Sequence, residues 1–181
     1  MADRLLLVGM MGAGKSTVAR LAADRLGWTW LDTDTEVSRT AGASVVDIFA
    51  QHGEPSFRRH EARALEEALR RDGNLVVSVG GGAVLDEANR AVLRSAGTVI
   101  WLRARPETLI ERIGDGAGRP LLAGDRPEDR ADTLRAIDAR RRPVYAALAD
   151  EVIDVDGLDA PSVTERLLDA VGLGAPGSRP R

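Results

Sequence analysis

No cysteine occurs in this 181-residue sequence, which excludes disulfide bridges and thiolate-bound metal centres. Aromatic residues make up only 3% of the chain, so the core is expected to be built from aliphatic side chains. Apolar runs stop well short of the ~18 residues that a membrane-spanning helix needs. Asp3 and Arg4 also interrupt the start before any leader-like stretch forms. No membrane partner is expected, and a cytoplasmic location follows. Nor is one sign of charge in excess: 25 Lys and Arg stand against 28 Asp and Glu, for a net charge of −3. The two signs are interspersed, so no basic face offers itself to a nucleic-acid backbone, and no nucleic-acid partner is expected. The most specific scarcity is lysine. Lys15 is the only one, and every other cationic side chain, the two histidines aside, is arginine.

What is present suits one packed domain over residues 1–171: 44% hydrophobic and 29% charged residues in a length typical of a single core. Short, continuous apolar runs at Leu5–Val8, Leu75–Val79 and Thr98–Leu102 read as strands buried on both faces, with Thr29–Leu31 and Glu151–Asp154 as weaker candidates. Helical periodicity fills the gaps at Lys15–Leu26, Ser44–His52, Pro55–Arg71, Asp86–Ala96, Pro106–Ile113, Pro127 to about Leu148 with a break or bend near Pro143, and Pro161–Val171. Strands alternating with helices predict an α/β fold with a parallel sheet and right-handed crossovers. Two segments interrupt the alternation. The helices between Asp34 and Arg71 have no strand between them and form an excursion from the sheet, and the glycine-rich Gly114–Asp125 reads as a mobile flap. The Gly/Pro-rich residues 172–181 read as a disordered tail.

The lone lysine sits in "GMMGAGKST", which fits G-x-x-x-x-G-K-[ST] at Gly9, Gly14, Lys15 and Ser16, between a buried strand and a helix. Glycines let backbone N–H groups turn inward around phosphate oxygens at the positive end of the helix. Lys15 would reach the β and γ phosphates, and Ser16 would offer a hydroxyl to Mg²⁺. Arginine is bulkier and forked where this cradle admits a compact ammonium, which explains why lysine appears here and nowhere else.

Three further features bear on what receives the phosphate. In "LDTDTE", Asp32 and Asp34 follow a strand end, and residues two apart in an extended segment project to the same side. One carboxylate would then serve the metal, the other a hydroxyl or polyol; a solvated turn with Asp34 as a helix cap is the alternative. In "SVGGGAVL", Gly80, Gly81 and Gly82 at a strand's C-terminal end permit close approach of a ligand, and Ser78 precedes them. Arg58 in "SFRRHE", Arg119 in "GRPLL" and Arg141 in "RRPVY" each offer a fork that can bind a carboxylate or spread charge on a transferring phosphoryl group.

Together, GMMGAGKST, DTD, FRRHE, GGG, GRPLL and RRPVY, in that order between Leu5 and about Val171, resemble shikimate kinase. The resemblance implies a P-loop, nucleoside-monophosphate-kinase-like α/β/α fold with a five-stranded parallel sheet in order 2-3-1-4-5. It also implies a substrate-binding region at about 33–61 and a lid at about 114–125. The implied reaction transfers the γ-phosphate of ATP to the 3-hydroxyl of shikimate, with Mg²⁺, in a cytoplasmic monomer. Carried onto this chain, Gly12, Ala13, Gly14, Lys15, Ser16, Thr17, Arg112 and Arg119 would bind the nucleotide, and Ser16 with Asp32 the metal. Asp34, Phe57, Arg58, Gly80, Gly81, Gly82, Pro120 and Arg141 would bind shikimate, and Lys15, Asp34 and Arg119 would act in catalysis. The chain departs from the family's pattern at Leu158, where an arginine beside the adenine is often found.

Overall fold

The computed structural model describes residues 3–114, 120–122 and 126–174. Five strands, β1 (Arg4–Val8), β2 (Thr29–Asp32), β3 (Leu75–Ser78), β4 (Thr98–Arg103) and β5 (Glu151–Asp154), form one parallel sheet in the order β2-β3-β1-β4-β5. This is the predicted order. The central strands are buried on both faces, with Leu6, Leu7, Val76, Val77, Val99 and Ile100 at 0% exposure. A strand is shielded on both sides only when helices cover both faces, and the result is three layers, α/β/α. Helices α1 (Lys15–Leu26) and α7 (Ala160–Ala170) pack on each other, while α4 (Glu87–Ala96) and α6 (Pro127–Leu148) pack against β4, and α5 (Pro106–Ile113) against α6. No helix among the described residues is long and apolar enough to cross a membrane.

The excursion is α2 (Thr33–Ala41) followed by α3 (Val45–Leu69). Its own small core of Val37, Ile48, Phe57 and Ala64 is separate from the main cluster around the sheet. Ser44 caps α3 by accepting from the Asp47 amide at 3.1 Å, as its spacing predicts. The two helices expected at 44–52 and 55–71 run together across a kink at Gly53. There φ is 71°, a left-handed value that glycine adopts without steric cost.

Three local expectations are corrected. β2 ends at Asp32 and α2 begins at Thr33, so Asp32 and Asp34 do not alternate along a strand. The helix cap is Asp32, whose Oδ1 accepts from the amides of Asp34 and Thr35 at 3.0 and 3.2 Å. Of the break or bend expected near Pro143, the break does not occur: helix α6 continues through Pro143 to Leu148. Arg119, most of the lid segment and residues 175–181 of the tail lie outside the described residues, as does the side chain of Pro120.

Candidate active site

Parallel strands deliver their C-terminal ends to one edge, and the site is built there. β1 leads through the glycine loop into α1, whose N-cap is Gly14. Lys15 opens the helix and folds back over the loop, Nζ donating to the carbonyls of Gly9 and Met10 at 2.9 and 3.1 Å. The β2–β3 register places Asp32 beside Ser78. Ser16, one residue into α1, meets both: its hydroxyl donates to Asp32 Oδ2 at 2.6 Å and lies 3.3 Å from Ser78 Oγ. A cavity of about 230 Å³ opens over these groups, with Lys15, Thr17, Asp32, Asp34 and Arg112 in its walls. Beside it, a hollow of about 290 Å³ is bounded by Gly12, Ala13, Gly14, Arg112 and Leu158, among others. Arg112 spans the two and is pinned by donating to the carbonyls of Val155 and Leu158 at 3.0 and 3.2 Å.

On the other side of Lys15 lies a second cavity, of about 210 Å³. Asp34, Phe57, Arg58, Gly81, Gly82 and Arg141 line it together with Lys15 itself. The excursion supplies one wall: Phe57 packs on Phe49 with centroids 4.7 Å apart, and Arg58 lies over the Phe57 ring. Helix α6 supplies Arg141, which is 5% exposed although charged. Residues separated by more than a hundred positions thus converge on one space.

The glycine turn fits because its side chains are absent. A Cβ on Gly82 would come within 2.6 Å of the Arg58 Cζ, and one on Gly80 would strike the Glu61 carboxylate and lie 2.9 Å from Asp34 Oδ1. Gly80 itself is not in the cavity wall, and its N–H is already given to the Thr33 hydroxyl at 2.8 Å. Its contribution here is space for acidic side chains, whereas Gly81 and Gly82 face the cavity. Gly82→Ala is expected to push the Arg58 guanidinium aside and raise the KM for the acceptor about tenfold. The melting temperature should fall as well, because the displaced guanidinium is the partner of the buried Glu61 carboxyl; an unchanged acceptor KM would contradict this.

Glu61 closes the FRRHE stretch. It is 1% exposed, its Oε2 accepts from Arg58 Nη1 at 2.6 Å, and Glu54 holds the other edge of the same guanidinium at 2.8 Å. The i+3 and i−4 spacings from Arg58 were the available signal. Burial pushes the Glu61 carboxyl above the usual carboxylate range; Arg58 pulls it back, Asp34 pushes it further up, and Arg141 pulls down. A raised carboxyl holds its proton longer in the folded state than in the unfolded chain. Its stabilising contribution is therefore full below the ordinary carboxylate range and is lost as pH rises through the elevated value. Melting curves of wild type and Glu61→Gln across that interval should show the wild type losing stability relative to the variant as pH rises. The opposite slope would contradict the burial argument.

The shikimate kinase family model matches residues 11–172. The chain belongs to the shikimate kinase family. By that membership it is a transferase and an ATP-dependent kinase of the shikimate pathway. It is 45% identical over 172 residues to the shikimate kinase of Moorella thermoacetica, covering 94% of this chain and 95% of that one. Identity to the shikimate kinase of Symbiobacterium thermophilum is 47% over 167 residues, covering 91% and 94%. Among solved structures, shikimate kinase from Acinetobacter baumannii in complex with shikimate superposes with a TM-score of 0.89 at 34% identity, over 94% of this chain and 93% of that one. A deoxyadenosine kinase from M. mycoides, at 16% identity and a TM-score of 0.59 over 93% of this chain and 98% of that one, shares the fold.

Proposed function

We propose that the two cavities flanking Lys15 hold the two reactants, ATP over the glycine loop and shikimate between the excursion and α6, and that the γ-phosphoryl group passes between them to the 3-hydroxyl. The observation that carries this reading is that Lys15 and Arg141 line the same cavity. Arg58 and Arg141 would grip the shikimate carboxylate with their forks, assisted by the Gly81 and Gly82 amides, and Phe57 would wall the ring. Asp34 would hold the ring hydroxyls and orient the attacking one. Lys15 would stay with the phosphoryl group as its charge redistributes, since this reaction needs positioning and electrostatic stabilisation more than covalent help. Arg112 and the hollow beside Leu158 would take the nucleotide base. Arg119 and Pro120 are assigned by family resemblance alone, Arg119 to the phosphates and Pro120 to the substrate wall.

The oxygen set of Ser16, Asp32 and Ser78 suits Mg²⁺, which favours oxygen ligands and keeps several waters. Among the described residues no cluster of three or more His, Cys, Asp or Glu could enclose a metal unaided, as fits an ion that arrives with nucleotide phosphates. Bound there by Ser16 and Asp32, Mg²⁺ would neutralise charge on the phosphate oxygens. A monomer in the cytoplasm is the assembly we propose: among the described residues the exposed large hydrophobics are Trp30, Val46, Val152 and Leu173, of which Trp30 and Val152 lie on opposite edge strands.

A coupled ADP-release assay tests the reading. ADP should form when shikimate is present and only at background without it or with related hydroxy acids. Shikimate-independent hydrolysis, or a preference for another polyol acid, would overturn it.

A further inference from the structure

Tyr145 is the single tyrosine of the chain, and the roles proposed so far leave it without a task. It follows Arg141 by four residues on α6, so both side chains leave the same face of the helix. Its side chain is 0% exposed and its ring lies against Trp101 of β4, centroids 5.7 Å apart. Packing alone would be served by phenylalanine. The hydroxyl, however, donates to the Gly81 carbonyl at 2.6 Å. With its one proton spent there, only lone pairs remain to face the Arg141 guanidinium, whose charge acts on it. A Cβ on Gly81 would sit 3.4 Å from both the Tyr145 hydroxyl and Arg141 Nη1, so the three groups share one contact point. Gly81 and Arg141 both face the cavity; Tyr145 stands behind them. Burial raises its hydroxyl to about 12 against the pull of Arg141, which keeps the proton in place for donation throughout the working pH range.

We propose that Tyr145 is a positioning residue for acceptor binding, locking the Arg141 guanidinium to the Gly81 backbone so that both meet the substrate carboxylate at a fixed separation. The inference rests on the acceptor site assigned under Proposed function. A mobile arginine must be ordered by each incoming substrate, at a cost in side-chain entropy. An arginine already held by a phenol oxygen binds without that cost.

Steady-state kinetics of Tyr145→Phe, which keeps the ring and its contact with Trp101, test the proposal. The KM for shikimate should rise about tenfold, as for loss of one hydrogen bond to a charged group, with a smaller change in kcat and less than about a twofold change in the KM for ATP. A role confined to stability would lower the melting temperature without this split between substrates. In an Arg141→Ala background the effect of Tyr145→Phe should shrink, because the group it positions is gone. An unchanged shikimate KM, parallel rises for both substrates, or full additivity with Arg141→Ala would overturn the proposal. Should Tyr145→Phe fail to fold, biosynthetic fluorotyrosine gives the otherwise unaltered enzyme a single fluorine resonance. That resonance should shift on titration with shikimate and saturate with turnover, and one unmoved at saturation would overturn the proposal. A wild type that releases no ADP with shikimate removes the functional reading and this inference with it. A wild type that turns shikimate over beside an unaffected Tyr145→Phe removes the inference alone.

Discussion

Replacing Lys15 by methionine is expected to lower kcat by about 10³-fold or more while leaving the protein folded. The ammonium sits where the two cavities meet, at the first residue of α1. Its hydrogen bonds to the Gly9 and Met10 carbonyls are to its own loop, so those carbonyls lose a donor in the variant, while the apolar contacts of the strands with one another are unchanged. Methionine keeps most of the length of the side chain and removes the charge with its donors. The transferring phosphoryl group would then lose its nearest fixed cation in a partly enclosed site, where a charge is worth far more than in water. Circular dichroism and a melting curve establish the fold, and an ADP-release assay the rate. Appreciable activity in a folded variant would refute the role given to Lys15.

The second large effect is expected at the opposite end of the acceptor cavity. Arg141→Ala should raise the KM for shikimate about 10²-fold and leave the KM for ATP nearly unchanged, since charged hydrogen bonds made out of water are among the strongest in proteins. The side chain is buried to 5% exposure, and its field reaches Glu61 and Tyr145. Lysine is not a substitute, because a point charge cannot present a carboxylate with two parallel donors. Arg141→Lys should therefore recover only part of the loss. A shikimate KM that does not move in Arg141→Ala would contradict the assignment.

Features fixed within one stretch of chain were legible in the sequence. The glycine loop, the lysine within it, the buried runs of β1, β3 and β4 and the Ser44 cap depend on neighbours a few residues away, and spacing alone reports them. Features fixed by packing were not. Asp32 and Asp34 do come together beside the glycine loop, but through a strand end that caps a helix, and no alternation rule contains that geometry. From sequence alone, all of Gly80, Gly81 and Gly82 read as permitting close approach of a ligand. Gly80 instead makes room for Glu61 and Asp34, carboxylates from other parts of the chain, which only the tertiary structure brings there. Glu61 is not distinguished in the sequence, because an acidic residue beside arginines in a helix usually reads as a solvated surface pair, and only its burial gives it significance.

The wall formed by α2 and the part of α3 up to Ala64 has its own core of four buried side chains, while Leu65, Ala68 and Leu69 farther along α3 join the cluster around the sheet. Loosening α2 and the part of α3 up to Ala64 need not disturb the sheet, so it costs a smaller free energy than global unfolding. A ligand that touches both sides of the cleft therefore acts as a rivet, holding that part of the wall in place. Occupancy should register as slower amide hydrogen exchange along α2 and α3 while the strands remain as they were.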